Sequence, residues 1–300
     1  MNVIGKLLAA AAAVLGVAIA AAVAARAQDD QMLRIFISVD MEGIGGIGSP
    51  KMTAAGGKDY ELGRDLLTEE VNAVVAAILE EGPAFITVND SHGDHQNVRH
   101  ERLHPDVVYV QGDKKPLGMV QELDSLYDGV IFIGYHARAG AHGFLAHTGS
   151  GAVRGLWLNG VEVGEGGLNA AYAGSRGAPV ILAAGDLAFT EEISALFDTR
   201  TVVTKEAVTA QSAILIHPEK VRDELRAATR EAIRDIRAAQ AWNIGEPVDI
   251  RLEVSRPVRA DVLESIPGVT RIDGDTVGYR AESMEEAYKL IRLMYKFIQP

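Results

Sequence analysis

The apolar residues of this chain come in two textures. Up to about residue 197 they form short unbroken runs, at 34–39, 84–88, 107–110, 130–135 and 179–183. Runs of this kind suit strands buried on both faces of a parallel sheet. Between the first two, Leu62, Leu66, Leu67, Val71, Val74, Val75, Ile78 and Leu79 recur at helical spacing until Gly82-Pro83 stops them. Residues 156–163 predict a hairpin, because Asn159-Gly160 suits a type I′ turn. Glu165 then opens a helix through Leu168, Ala171 and Tyr172. Alternating buried strands and helices predict an α/β fold with a mostly parallel sheet and helices on its faces. From about Asp198 the texture changes. A helix is expected over 217–239, residues 248–254 alternate cleanly, a hairpin turns at Asp273-Gly274, and a last helix covers 283–298. The expected division is an α/β domain over 28–197 and a smaller α+β domain over 198–300.

Residues 1–27 differ from both parts. Lys6 precedes an almost continuous Leu/Ala/Val run from Leu7 to Ala25, and Ala25-Arg26-Ala27 has the small-x-small form that signal peptidase takes. The run also approaches the roughly 17–25 residues of a membrane span, so an uncleaved anchor stays open as the alternative. Either reading places the remainder outside the cytoplasm, periplasmic or secreted. Loss of Lys6 and Arg26 takes the formal charge from −12 to −14. That acidity argues against nucleic acid or an anionic membrane as partner. The chain has no cysteine, which excludes disulfides and thiol catalysis and leaves histidine and carboxylates as the only ligands for zinc.

Polar residues stand directly after the apolar runs: Asp40 and Glu42 after the first, Asp90 and His92 after the second, His136 after the fourth. Ligands of such sheets bind beyond the carboxyl ends of the strands. Seven of the eight histidines fall between His92 and His147, and His142 and His147 lie in a long Gly/Ala-rich loop. His95, His100 and His104 are expected to have no role, and His217 to start a helix. Two carboxylates with neutral imidazoles suit zinc, and a metal pair could share one bridging carboxylate. Glu165 would add an oxygen, although an acid at a helix start is also favoured by the helix dipole. Gly43-x-Gly45-x-x-Gly48 matches a dinucleotide fingerprint, but no helix is predicted to begin within it, and Asp40 and Glu42 would repel a diphosphate. A mobile loop beside the metals is the expectation there. Gly149-Ser150-Gly151 lacks the spacing of a serine-hydrolase elbow, and Lys114-Lys115 is a small basic spot expected to be a solvated turn.

Four motifs then occur in order: Ser38-Val39-Asp40-Met41-Glu42-Gly43, Val88-Asn89-Asp90-Ser91-His92, Gly134-Tyr135-His136-Ala137 and Val163-Gly164-Glu165-x-Gly167-Leu168-Asn169. In this the chain resembles the DppA-type zinc D-aminopeptidases, from about Leu33 to its C-terminus. The resemblance implies a Rossmann-like α/β domain followed by a smaller α+β domain. It implies two zinc ions per subunit, held by Asp40, Glu42, His92, His136 and Glu165 with Asp40 as bridge. His147, in Leu145-Ala146-His147-Thr148, would be the catalytic histidine beside a metal-activated hydroxide. The implied substrate is a short peptide with an N-terminal D-residue of the D-Ala type. The implied assembly is a homo-oligomer of stacked rings, decamer-like. Two departures stand out: Leu187 follows Gly185-Asp186 where the family has an acid, and Ala210-Gln211 occupy a region where it has an arginine. Two rival functions remain, a metal-dependent amidohydrolase of cell-wall or other small amides and a periplasmic peptide-binding protein.

Overall fold

The computed structural model describes residues 32–297; the leader expected at 1–27 lies outside them. Among the described residues no helix is long and apolar enough to cross a membrane.

The apolar runs become β1 (Leu33–Val39), β2 (Ala84–Asp90), β3 (Val107–Val110), β4 (Gly129–Tyr135) and β7 (Val180–Asp186), with β5 (Val153–Leu158) and β6 (Val161–Glu162) as the hairpin. The helical spacing over 59–81 becomes α1 (Tyr60–Glu81), and Glu165 opens α2 (Glu165–Ser175). A short α3 (Leu187–Leu196) follows β7. One seven-stranded sheet has the order β3-β2-β1-β4-β7-β8-β9, where β8 is Arg200–Thr209 and β9 is Ser212–Leu215. All its pairings are parallel except β8 with β9. This is the expected α/β fold with helices on both faces. Alternate side chains of the same strands feed two cores. Ile35, Ile37, Ile131 and Ile133 pack toward α1 and α4 (Pro218–Arg234), whereas Phe36, Val130 and Phe132 face α2 and the second layer.

That second layer is a five-stranded sheet, β11-β12-β10-β5-β6. It comprises β10 (Val248–Val254), β11 (Thr270–Arg271), β12 (Thr276–Ala281) and the hairpin β5–β6, with α5 (Pro257–Leu263) and α6 (Met284–Phe297). In β10 buried and exposed residues alternate, as in a sheet with one covered face.

Sheet membership does not follow the boundary expected at residue 197. Strands β8 and β9 extend the first sheet, with Leu182 to Gly185 of β7 in register with Arg200 to Val203. The apolar stripe of α4, including Val221, Leu225 and Ile233, joins the α1 core. Ion pairs Arg222–Glu69, Arg230–Glu80 and Arg234–Glu81 flank that contact. Conversely β5, from the middle of the chain, pairs with β10, and β6 extends that sheet beyond β5. The change of texture near residue 198 coincides with the edge strands β8 and β9 and with the half-exposed β10, where one strand face is polar.

The strand order places β1 beside both β2 and β4, with β4 added on the far side from β2. The crevice beyond β1 and β4 is thus a topological switch point, where open α/β sheets bind ligands.

Candidate metal centre

The ends of β1 and β4 approach so closely that only glycines fit between them. A Cβ on Gly43 would lie 1.9 Å from the Tyr135 carbonyl oxygen, and one on Gly134 (φ +73°) 2.3 Å from that of Asp40. The Asp40 N–H donates to Ile133 O at 2.8 Å and the Gly43 N–H to Gly134 O at 2.7 Å. This fixes the turn that carries Asp40 and Glu42. The glycine segment beyond it is not the loosely held loop expected from sequence. Ile44 and Ile47 are fully buried in the core, and α1 begins only at Tyr60, so no helix terminus is available for a diphosphate.

Asp40, Glu42, His92, His136 and Glu165 converge, and His147 joins them. His92 Nδ1 lies 3.2 Å from Asp40 Oδ1 and 2.9 Å from Glu42 Oε2. His136 Nε2 lies 3.4 Å from both Asp40 Oδ2 and Glu165 Oε2. His147 Nε2 stands 3.6 Å from Glu165 Oε1, its ring stacked on that of His136 at 4.2 Å between centroids. Each histidine ties its other nitrogen to a backbone carbonyl: His92 Nε2 to Thr53 O, His136 Nδ1 to Ala137 O and His147 Nδ1 to Leu145 O, at 2.8–2.9 Å. Metal-ligating histidines are oriented in this way. The nitrogen left over in each ring faces the carboxylates.

The electrostatics call for cations. Asp40, Glu42 and Glu165 are all buried, and buried charges need a partner or a metal. Burial, helped by the Glu42 charge, raises the Asp40 carboxyl to about 7. Burial would raise Glu42 as well, but His92 holds it well below the usual range. Glu165 is likewise pushed up by burial and brought down to about 2 by His136, His147 and the Gly149 N–H. Burial disfavours the His92 and His136 cations, yet the carboxylates raise both well above the ordinary imidazole value.

Asp40 Oδ2 and His136 Nε2 are buried without a hydrogen-bond partner. Their 3.4 Å separation equals that of two donors about 2.0–2.1 Å from one tetrahedral zinc. Donor atoms of Asp40, Glu42 and His136 lie within 4.8 Å of one another, as do those of His136, His147 and Glu165. The donor set, oxygen and imidazole nitrogen without sulfur, is one zinc accepts. The residues present fit the metal.

Asp90, also a strand-terminal acid, is turned away. It accepts from Asn97 N, Asn97 Nδ2, Val98 N and Tyr109 Oη at 2.6–2.9 Å and so shapes the loop after His92. His95 is buried in the wall of the cavity over the site, a place its sequence surroundings did not signal. The four motifs also share a network beneath the converging acids and histidines. Ser38 Oγ meets Ser91 Oγ at 2.8 Å and Tyr135 Oη at 2.6 Å, Asn169 Nδ2 donates to Tyr135 Oη, and Tyr288 Oη donates to Asn169 Oδ1. Ser38, Ser91, Tyr135 and Asn169, one from each motif, thus lock together the elements that carry the converging acids and histidines.

Sequence reasoning missed Lys205 and Glu70. Lys205 is fully buried and donates to Glu42 O at 2.5 Å and Ile47 O at 2.7 Å. Glu70, on α1, accepts from Gly45 N at 2.7 Å. Burial brings the Lys205 ammonium down to about 7 and the Glu70 carboxyl up to about 7. The only sequence signal was a lysine inside an otherwise strand-like run. Of the two altered positions, Leu187 opens α3. Ala210 accepts the Leu145 N–H at 2.9 Å, which ties the β8–β9 turn to the loop carrying His147.

The chain is similar to known proteins along most of its length. A family model described as D-aminopeptidase matches residues 33–293. A D-aminopeptidase of Bacillus subtilis (strain 168) is 33% identical over 264 residues, covering 87% of this chain and 96% of its own. The solved structure of the zinc-dependent D-aminopeptidase DppA from Bacillus subtilis, described as a self-compartmentalizing protease, superposes with a TM-score of 0.87. It is 32% identical, over 89% of this chain and 98% of that one.

Proposed function

The chain belongs to the D-aminopeptidase family of zinc-dependent peptidases, and from that premise we propose that it is a two-zinc aminopeptidase removing N-terminal D-residues of the D-Ala type from short peptides. The observation that carries the proposal is the arrangement of His92, His136 and His147. Each is pinned by a backbone carbonyl and aims its free nitrogen at buried carboxylates. The support for two metals is Asp40, whose Oδ1 faces His92 and whose Oδ2 faces His136. One carboxylate oxygen toward each group is what a bridging ligand requires. His136 has a single free nitrogen and cannot bridge.

Asp40, Glu42, His92, His136 and Glu165 would hold the zinc. Bound zinc supplies Lewis acidity toward a carbonyl and lowers the pKa of water toward about 7. The remaining roles belong to the chain. His147 is the histidine of the three that reaches most into the cavity, its side chain 31% exposed. With Nδ1 donating to Leu145 O, Nε2 is the atom that takes a proton from the attacking water and returns it to the leaving amine. Stacking on His136 keeps the ring in that orientation. The Gly149 N–H holds Glu165 at 2.6 Å. The cavity, of about 620 Å³, falls in the range of small-molecule sites.

We extend the proposal to assembly and place. A homo-oligomer, ring-like in form, is supported by the self-compartmentalizing relative. Export is supported by the leader-like residues 1–27. Amine release from paired D-Ala and L-Ala dipeptides, with zinc-loaded and chelator-treated protein, tests the activity. Metal-dependent cleavage of the D series alone is the expected result. Zinc-loaded protein that binds peptides tightly and turns none over would refute it.

A further inference from the structure

The cavity over the metal centre has a second chemical character. Besides Asp40, His92, His147 and Glu165, its lining includes Asp113, Lys114, Arg292 and Lys296. There three cations surround one carboxylate. Lys114 Nζ lies 2.5 Å from Asp113 Oδ2, while Arg292 and Lys296 each lie 3.6 Å from Asp113 Oδ1. Burial would raise the Asp113 carboxyl, yet Lys114 and Lys296 hold it well below the usual range. Asp94 adds a carboxylate to the lining beside Asp40 and Glu165, whereas around Asp113 three cations stand against one acid. Lys115, buried behind them on Asn89 Oδ1 and Asp90 O, adds further positive charge.

Two structural features make this a built wall. The Arg292 side chain is only 8% exposed, and its guanidinium occupies the space left by Gly118, where a Cβ would lie 1.9 Å from Nη1. Gly118 takes φ +45°, a conformation that glycine adopts without strain. Arg292 and Lys296 are also one helical turn apart on α6, so they share a face. Tyr295, between them in sequence, packs against Gly149, whose N–H is bonded to Glu165. Glu165, Gly149, Tyr295 and the flanking Arg292 and Lys296 thus form one continuous side of the cavity.

We infer that Arg292, Lys296 and Lys114 form a carboxylate subsite for the free C-terminus of a short peptide whose amino end lies at the metal centre. This rests on the aminopeptidase reading and names what its substrate must carry, a free C-terminal carboxylate. Guanidinium and ammonium groups bind carboxylates through charge-assisted hydrogen bonds. A site reading only the amino end would be indifferent to peptide length. A cationic wall at a fixed distance selects chains whose carboxylate reaches it, and an amide or a longer chain leaves that charge unmet.

The test compares D-Ala-D-Ala with its C-terminal amide, on wild type and on the Lys296→Gln and Lys114→Gln variants. These side chains are exposed enough, at 29% and 82%, to be replaced without opening the core. Two quantities are read: kcat/KM of the zinc-loaded protein, and affinity for the metal-free protein, where binding is seen without turnover. Wild type should prefer the acid by about tenfold or more, chiefly through KM, and each variant should lose several-fold of that preference. Equal cleavage of acid and amide by wild type overturns the subsite and leaves the aminopeptidase reading standing. If neither is cleaved, that reading falls and the metal-free affinities decide. Tighter binding of the acid, lost in Lys296→Gln, upholds the subsite, and equal binding overturns it.

Discussion

Replacement of Lys205 by methionine tests how the turn carrying Glu42 is held. The ammonium is fully buried and donates to Glu42 O and Ile47 O. It also lies 4.9 Å from the centre of the Phe144 ring and supplies positive charge to Glu70. Methionine matches the length and apolar stem but has no donor. Each of the two buried carbonyls left unpaired costs about 1–3 kcal/mol. Glu70 loses its countercharge as well, while the cost of burying an ammonium disappears. Loss of one partner from a buried charged pair typically costs about 3–5 kcal/mol, so a net loss of about 3 kcal/mol is expected. For a chain of this size that lowers Tm by roughly 6–12 °C. Because Glu42 is released at its backbone, zinc content and kcat should fall as well. Thermal unfolding at fixed protein concentration, with zinc measured on the same samples, reads both. A Tm within about 2 °C of wild type together with full zinc content would refute the reasoning.

Three other predictions concern single residues. Asp40→Ala removes the oxygens facing both His92 and His136, so metal binding should be abolished; two tight zinc ions in the variant, by elemental analysis, would contradict the bridging role. His147→Ala should keep its metal and lose about 10²–10⁴ in kcat, the usual contribution of a positioned acid–base, and undiminished turnover would remove His147 from the mechanism. Burial, aided by Lys115 and Arg292, lowers the His95 imidazole to about 3. The unfolded chain therefore binds that proton first, and His95 contributes stability above about pH 6.5 that is lost as pH falls toward 3. At about 1.4 kcal/mol per unit a few kcal/mol are involved. His95→Asn, which tolerates the left-handed backbone at φ +59°, should flatten the acid limb of a stability–pH curve. A wild-type slope in that variant would show that His95 is not the group responsible.

Much of the site was legible because strand-terminal positions are local facts. A buried run ends where its first charged residues appear, and in a parallel sheet those ends share one edge. Asp40, Glu42, His92 and His136 could be placed on that basis alone, and the ordered motifs added Glu165 and His147. Asp90 shows the limit. It occupies the same kind of position as Asp40, but its carboxylate turns toward Asn97 and Tyr109, and the direction of a side chain after a strand depends on the loop it meets.

By itself the sequence determined the alternation of strands and helices and the absence of sulfur ligands. It also set the order in which the strand-terminal acids and histidines reach the sheet edge. These follow from periodicity and composition, which each segment carries alone. Only the tertiary structure decided that β8 and β9 complete the first sheet with α4 packed against it, and that the mid-chain hairpin β5–β6 joins the second. It alone brought Lys205 under Glu42, 163 residues away in sequence, and Arg292 and Lys296 into the cavity wall. The reason is the same in each case. Local pattern fixes what an element is, whereas pairing between distant elements depends on how their buried faces fit, and no single segment contains that information.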